Sequence, residues 1–107
     1  MVTISNDNDL VTLINVFTVV PEDQQRLVDV LVDATQTVMR NQPGYISANI
    51  HRSLDGTRVT NYAQWRSREA FEAMLGDQEA AEHMGEAARI AENFEPHLYE
   101  VTFVDEV

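Results

Sequence analysis

The chain has 107 residues and a formal charge of −11, from 18 acidic against 7 basic side chains. That length suits one domain with one modest core, and the sign opposes binding to nucleic-acid backbones or an anionic membrane face, which need basic patches. With no cysteine, disulfides, thiolate catalysis and cysteine-held metals are excluded.

The first nine residues are polar and read as a loose tail, leaving 10–107 as the single domain. They lack the basic-then-apolar plan of a signal peptide, and no long apolar run follows, so the expected compartment is the cytoplasm. Leu10 to Val20 is rich in β-branched residues and apolar on both faces, as a central strand is; Asn15 is its one strongly polar interior member. Pro21-Glu22-Asp23 marks a helix start. Leu27, Leu31, Ala34 and Val38 then repeat at helical spacing to about Arg40, and Asn41-Gln42-Pro43-Gly44 stops the helix.

From Tyr45 to Arg52 the chain alternates. Ile46, Ala48 and Ile50 share one face, and Tyr45, Ser47, Asn49 and His51 the other. Asp55-Gly56 signals a hairpin. A two-residue turn centred there sets Ile50 opposite Asn61, Ala48 opposite Ala63 and Ile46 opposite Trp65. Asn61 and Trp65 then share an apolar face with Val59 and Ala63, and an amide on such a face must find partners or cost about 1–3 kcal/mol.

Ser67 suits the N-cap of a short helix closed by Gly76, with Ala70, Phe71, Met74 and Leu75 as its stripe. Asp77 suits the cap of another, from Gln78 to about Glu92, ended by Asn93 and Pro96. Leu98 to Val104 reads as a last strand, and His97 as a loop residue. The order β-α-β-β-α-α-β is the ferredoxin-like split βαβ pattern, an α+β fold with an antiparallel sheet and helices on one face. Its usual arrangement makes the first and third strands neighbours, so Asn15 and Asn61 come together. No helix remains for the other sheet face, which carries Tyr45, Tyr62 and half of the first strand's apolar residues. Packing against a second copy covers it, so a homodimer through the sheet face is expected.

The run Ala48-x-x-His51-x-Ser53-x-Asp55-Gly56-Thr57-x-Val59-x-Asn61-Tyr62-Ala63-Gln64-Trp65, then Ser67-x-x-Ala70-Phe71, resembles the antibiotic biosynthesis monooxygenase family. The likeness is strongest to the small anthrone oxygenases of aromatic polyketide pathways, and it extends over about residues 10 to 105. It implies a dimeric α/β barrel that oxidises an anthrone to a quinone with molecular oxygen, using no flavin, haem or metal. It also implies roles for Asn15, Asn61 and Trp65 in polarising the enolate or peroxide oxygen. Ile46, Ile50, Phe71, Met74 and Met84 are the expected substrate-contacting residues. Phe71 stands where a close relative has a tyrosine, and an arginine of that relative's last helix has no clear match, Arg89 being out of register.

Two other readings stay open. One is a non-catalytic member of the same fold that binds small aromatic ligands. The other is a haem-degrading monooxygenase, for which Asn15 and His83 fall at two of the expected places but Met74 stands where a tryptophan belongs. His51, His83 and His97 lack metal-ligand spacing.

Overall fold

Proline at the head of the first helix, hydroxyl and carboxylate caps on the next two and alternation in the strands all translate into the expected elements. The computed structural model describes residues 2–5 and 10–107. Among them the order is β1 (Val11–Thr18), α1 (Gln24–Thr37), β2 (Tyr45–Arg52), β3 (Arg58–Trp65), α2 (Arg68–Leu75), α3 (Gln78–Ile90) and β4 (Asn93–Tyr99). One-turn 3-10 segments at Pro21–Asp23 and Met39–Asn41 flank α1. The Ser67 hydroxyl accepts from the Ala70 N–H at 3.1 Å, and the Asp77 carboxylate from the Ala80 N–H at 2.9 Å. Each satisfies one of the free donors at a helix start.

The sheet is antiparallel, ordered β2-β3-β1-β4, so β1 and β3 form its centre. Helices cover one face, to which β1 turns Leu13, Asn15 and Phe17 and β3 turns Val59, Asn61, Ala63 and Trp65. The other face is open and carries Ile14, Val16, Tyr62 and Gln64. Of the tail expected over residues 1–9, Met1 and residues 6–9 lie outside the described residues. Within 2–5, the Thr3 carbonyl accepts from Gln64 Nε2 at 2.7 Å, which ties that segment to the open face.

The β2–β3 connection is longer than a two-residue turn but keeps its register. Asp55 Oδ1 accepts from the Thr57 hydroxyl, the Ser53 hydroxyl and the Thr57 N–H at 2.7, 2.8 and 3.0 Å. These bonds, the Thr57 hydroxyl foremost, hold its carboxyl down at about 2. Gln24 Nε2 donates to the Ser53 and Arg58 carbonyls, each at 3.0 Å, and so docks the start of α1 on the base of the hairpin.

Two expectations change. Ile50 pairs with Asn61 and Ala48 with Ala63 as read from sequence, but Tyr45, not Ile46, lies opposite Trp65. Ile46 is the extra residue of a β-bulge, which turns Tyr45 onto the helix face and takes Ile46 off it. The last strand begins at Asn93 rather than Leu98 and ends at Tyr99. Pro96 does not stop it, because β4 is an edge strand, where a missing N–H is tolerated.

The bulge follows Gly44, whose φ of 85° lies in the left-handed region and whose carbonyl accepts from the Arg66 N–H at 2.8 Å. A Cβ at Gly44 would overlap that of Ala70 in α2. Gly44→Ala is therefore expected to cost about 2 kcal/mol or more, from backbone strain and lost α2 packing together. Urea denaturation measures it, and a loss below about 0.5 kcal/mol would contradict this account.

Candidate active site

The apolar core divides in two. One cluster contains Leu13, Ala63, Trp65, Phe71 and Met74, and the other Phe17, Val19, Leu27, Val59 and Ile90. On both central strands the residue at the division is an asparagine. Asn15 and Asn61 are direct cross-strand partners, which brings their Cβ atoms to roughly 5 Å. Between the sheet and the three helices, against this amide pair, lies a cavity of about 210 Å³. A single water needs only roughly 10–15 Å³, so this is room for a ligand rather than a packing fault.

The cavity wall is largely apolar. Trp65, 2 % exposed, is held between two rings: Tyr45 at 5.8 Å and Phe71 at 6.0 Å between centroids, both edge to face. Met39, Met74 and Met84 line it as well, and their flexible thioethers suit a wall that adapts to what it holds. None of the lining residues is Asp, Glu, Lys or Arg. Burial pushes the Tyr45 phenol above its ordinary range, against the pull of Arg40 and of a backbone hydrogen bond at Ala48.

Four buried polar atoms have no hydrogen-bond partner among the described residues: Asn15 Oδ1, Asn61 Oδ1, Trp65 Nε1 and His83 Nδ1. All four residues line this cavity. Each such atom costs about 1–3 kcal/mol when left unpaired, a heavy load on the ~5–15 kcal/mol by which domains are stable. Their chemistry is mixed. Amide oxygens accept, the indole N–H donates, and an amide or imidazole can do either by rotation or tautomer. A flat aromatic bearing hydroxyl and carbonyl groups supplies what such a set lacks.

The structure brings Asn15, Asn61, Trp65, Ile50, Phe71, Met74 and Met84 onto one cavity. Ile46 is not among its lining residues and borders a shallow cleft with Gln36 and Arg40 instead. Tyr45 takes the place expected for it, rather than facing a partner subunit. His97 lies in β4 opposite Ile14 rather than in a loop, and it too lines the cavity, with Phe94 and Pro96. His51 is exposed near the hairpin, its Nδ1 3.1 Å from the Asn49 carbonyl. The described residues include no group of three or more His, Cys, Asp or Glu that could hold a metal ion, and no helix among them is long and apolar enough to cross a membrane.

The sheet and the helices above it turn an amide pair, an indole and an imidazole into one apolar chamber, the plan of a pocket for a small aromatic ligand, and known proteins show the class to which it belongs. The antibiotic biosynthesis monooxygenase family model matches residues 10–89. The tetracenomycin-F1 monooxygenase of Streptomyces glaucescens is 46% identical over 102 residues, covering 95% of this chain and 90% of that one. Among solved structures, a monooxygenase from the gene ActVA-Orf6 of Streptomyces coelicolor, in complex with nanaomycin D, superposes with a TM-score of 0.79 at 27% identity, over 92% of each chain. SnoaB of Streptomyces nogalater, a cofactor-independent oxygenase, superposes with a TM-score of 0.74 at 25% identity, over 90% of this chain and 96% of that one. The chain belongs to the antibiotic biosynthesis monooxygenase family, and it is an enzyme of the oxygenase class.

Unpaired amides that serve a ligand rather than the core have a consequence for stability. Asn61→Leu, similar in branching and with the cavity to take its extra bulk, removes one, so its melting temperature should equal or exceed that of the wild type, by up to about 4 °C for each 1 kcal/mol recovered. A fall of more than about 4 °C in thermal denaturation would mean that the amide supports the core.

Proposed function

We propose that this oxygenase converts an anthrone-like phenolic polyketide into the corresponding quinone with molecular oxygen, without a flavin, haem or metal. The observation that carries the reading is the convergence of four unpaired polar atoms on one apolar cavity. The tetracenomycin-F1 monooxygenase relative and the nanaomycin D complex support it. The balance is simple: a ring methylene and O2 give a ring carbonyl and water.

Loss of one methylene proton leaves an enolate, electron-rich enough to transfer an electron to oxygen directly. The two fragments combine to a peroxide at that carbon. Loss of the second proton then breaks the O–O bond, forming the carbonyl and releasing water. The protein has to hold the ring flat, keep bulk water out and offer donors to oxygen atoms as they gain charge. In this reading Asn15 and Asn61 address the ring's phenolic and enolate oxygens, and the Trp65 N–H donates to the peroxide. Ile50, Phe71, Met74 and Met84 grip its apolar faces. Amides and an indole suit the task because they hydrogen-bond without titrating near neutral pH.

The direct test is stopped-flow absorbance with 1,8-dihydroxyanthrone, with and without oxygen. Quinone should form only aerobically, and Trp65→Phe and Asn61→Ala should each lower the rate by at least about tenfold, toward the roughly hundred- to thousandfold loss seen when a single oxyanion donor is removed. Equal rates for the wild type and both variants would overturn these roles. Absence of any turnover, with saturable quenching of Trp65 fluorescence by the same compound, would instead favour a binding protein.

The open sheet face supports a homodimer. Ile14, Val16 and Tyr62 lie on it with no helix above them among the described residues, and a second copy's sheet is the simplest cover. Light scattering at micromolar concentration should give twice the chain mass; a monomer there would overturn the dimer without touching the chemistry.

A further inference from the structure

Oxidation of a ring methylene needs a proton acceptor, and neither the amide pair nor the indole can take up a proton near neutral pH. Phe71 has no hydroxyl to relay one. Three ionisable residues line the cavity, Tyr45, His83 and His97, but His97 sits opposite Ile14 and so turns its side chain to the open face of the sheet. The Tyr45 phenol is held protonated by burial, and the His97 side chain is exposed at the edge strand, its ring 6.4 Å from that of Tyr99. His83 is different. It belongs to the inward stripe of α3, with Ala80 and Ala87 buried one turn to either side. Its Nδ1 is buried and without a partner among the described residues.

We propose that His83 is the general base of the reaction. This deepens the oxidation proposed above and rests on it. The methylene C–H bond breaks, its electron pair enters the ring as the enolate, and the proton passes to an imidazole nitrogen. The imidazolium then protonates the peroxide formed with O2. The free imidazole takes the second methylene proton as the O–O bond breaks and hydroxide leaves, to be protonated to water. The arrangement has a stereochemical basis as well. A C–H bond ionises most readily when it stands perpendicular to the ring. For a flat ligand lying along the sheet, the amides and indole approach from the floor, whereas α3 holds His83 in the roof.

On the cavity lining, the other ionisable side chain on the helix side of the sheet is that of Tyr45, on β2. The residues that α1 and α2 turn into the cavity are non-ionisable, Leu31, Thr35, Phe71 and Met74 among them. Glu79, Glu82 and Glu86 on α3 itself are exposed. A histidine is the side chain whose ordinary titration range suits proton transfer at neutral pH.

The test uses 1,8-dihydroxyanthrone with a protiated or dideuterated methylene, under air, with His83→Gln and His83→Gly. Glutamine keeps hydrogen bonding but cannot act as a base. At pH 7 His83→Gln should lose at least 30-fold in kcat/KM while Trp65 quenching still reports binding. Its rate should climb with pH as solvent base takes over, and added imidazole should restore part of the His83→Gly rate. The isotope effect should persist in the slow variants. Near-wild-type activity of His83→Gln, with an unchanged pH profile, would overturn the assignment and leave the oxygenase reading intact. So would a loss of activity at every pH that imidazole does not rescue, which is the signature of a structural role. If the wild type itself produced no quinone, the oxidation reading would fail, and the base with it.

Discussion

Two amides facing each other across the middle of an antiparallel sheet are the constraint around which this protein is arranged. Side chains alternate strictly along a strand, so the register that sets Asn15 opposite Asn61 also sets Leu13 opposite Ala63 and Phe17 opposite Val59. Each pair of apolar neighbours seeds one half of the core. The amide pair prevents the halves from merging, because helices packed directly onto it would trap polar groups with nothing to bond. The cavity is thus a consequence of the sequence at two positions. A one-residue slip of either strand would move that strand's amide to the open face and break the pair.

The indole is positioned by two local devices that begin far from it. Gly44 adopts a backbone that other residues rarely take, the next turn of chain bulges at Ile46, and Tyr45 is thereby delivered to one side of Trp65. On the other side the Ser67 hydroxyl starts α2 at a fixed point, and Phe71 follows one turn later at the opposite edge. Gly44 and α2 also touch, through Ala70. The ring is consequently held by packing rather than by a bond to its nitrogen, which leaves the N–H free for whatever occupies the chamber. A tryptophan anchored by its own hydrogen bond would be equally buried and chemically idle.

Most of this was legible in the residues because the signals are local. Alternation, the Asp55-Gly56 turn and the Ser67 and Asp77 caps each act within a few positions, and together they fix which face Asn61 and Trp65 occupy. What escaped the sequence depends on contacts between distant segments. The bulge at Ile46 is tied to the close approach of Gly44 to Ala70, and nothing within β2 itself announces it. Tyr45 and Ile46 therefore exchanged places. Pro96 reads as a stop signal unless the strand containing it is known to be an edge, and edge status is a property of the whole sheet. His97 and Phe94 were missed with it. Pro43-Gly44 was the available hint, since a glycine directly before a strand is where an irregular register is affordable.

The charge of the chain bears on the chemistry in a way that favours an internal base. With a formal charge of −11, the surroundings disfavour a new anion, and the cavity itself holds no Lys or Arg among its lining residues to offset one. An enolate formed by losing its proton to solvent would be a lone negative charge in an apolar chamber, the most costly arrangement for a buried ion. A proton kept inside, on an imidazole, gives a neutral pair whose attraction grows as the local dielectric falls. The same apolar wall that penalises the first route therefore strengthens the second. Two neutral amides and an indole N–H can then spread the remaining charge without adding any of their own, and a chamber without acids can oxidise an acidic ring inside an acidic protein.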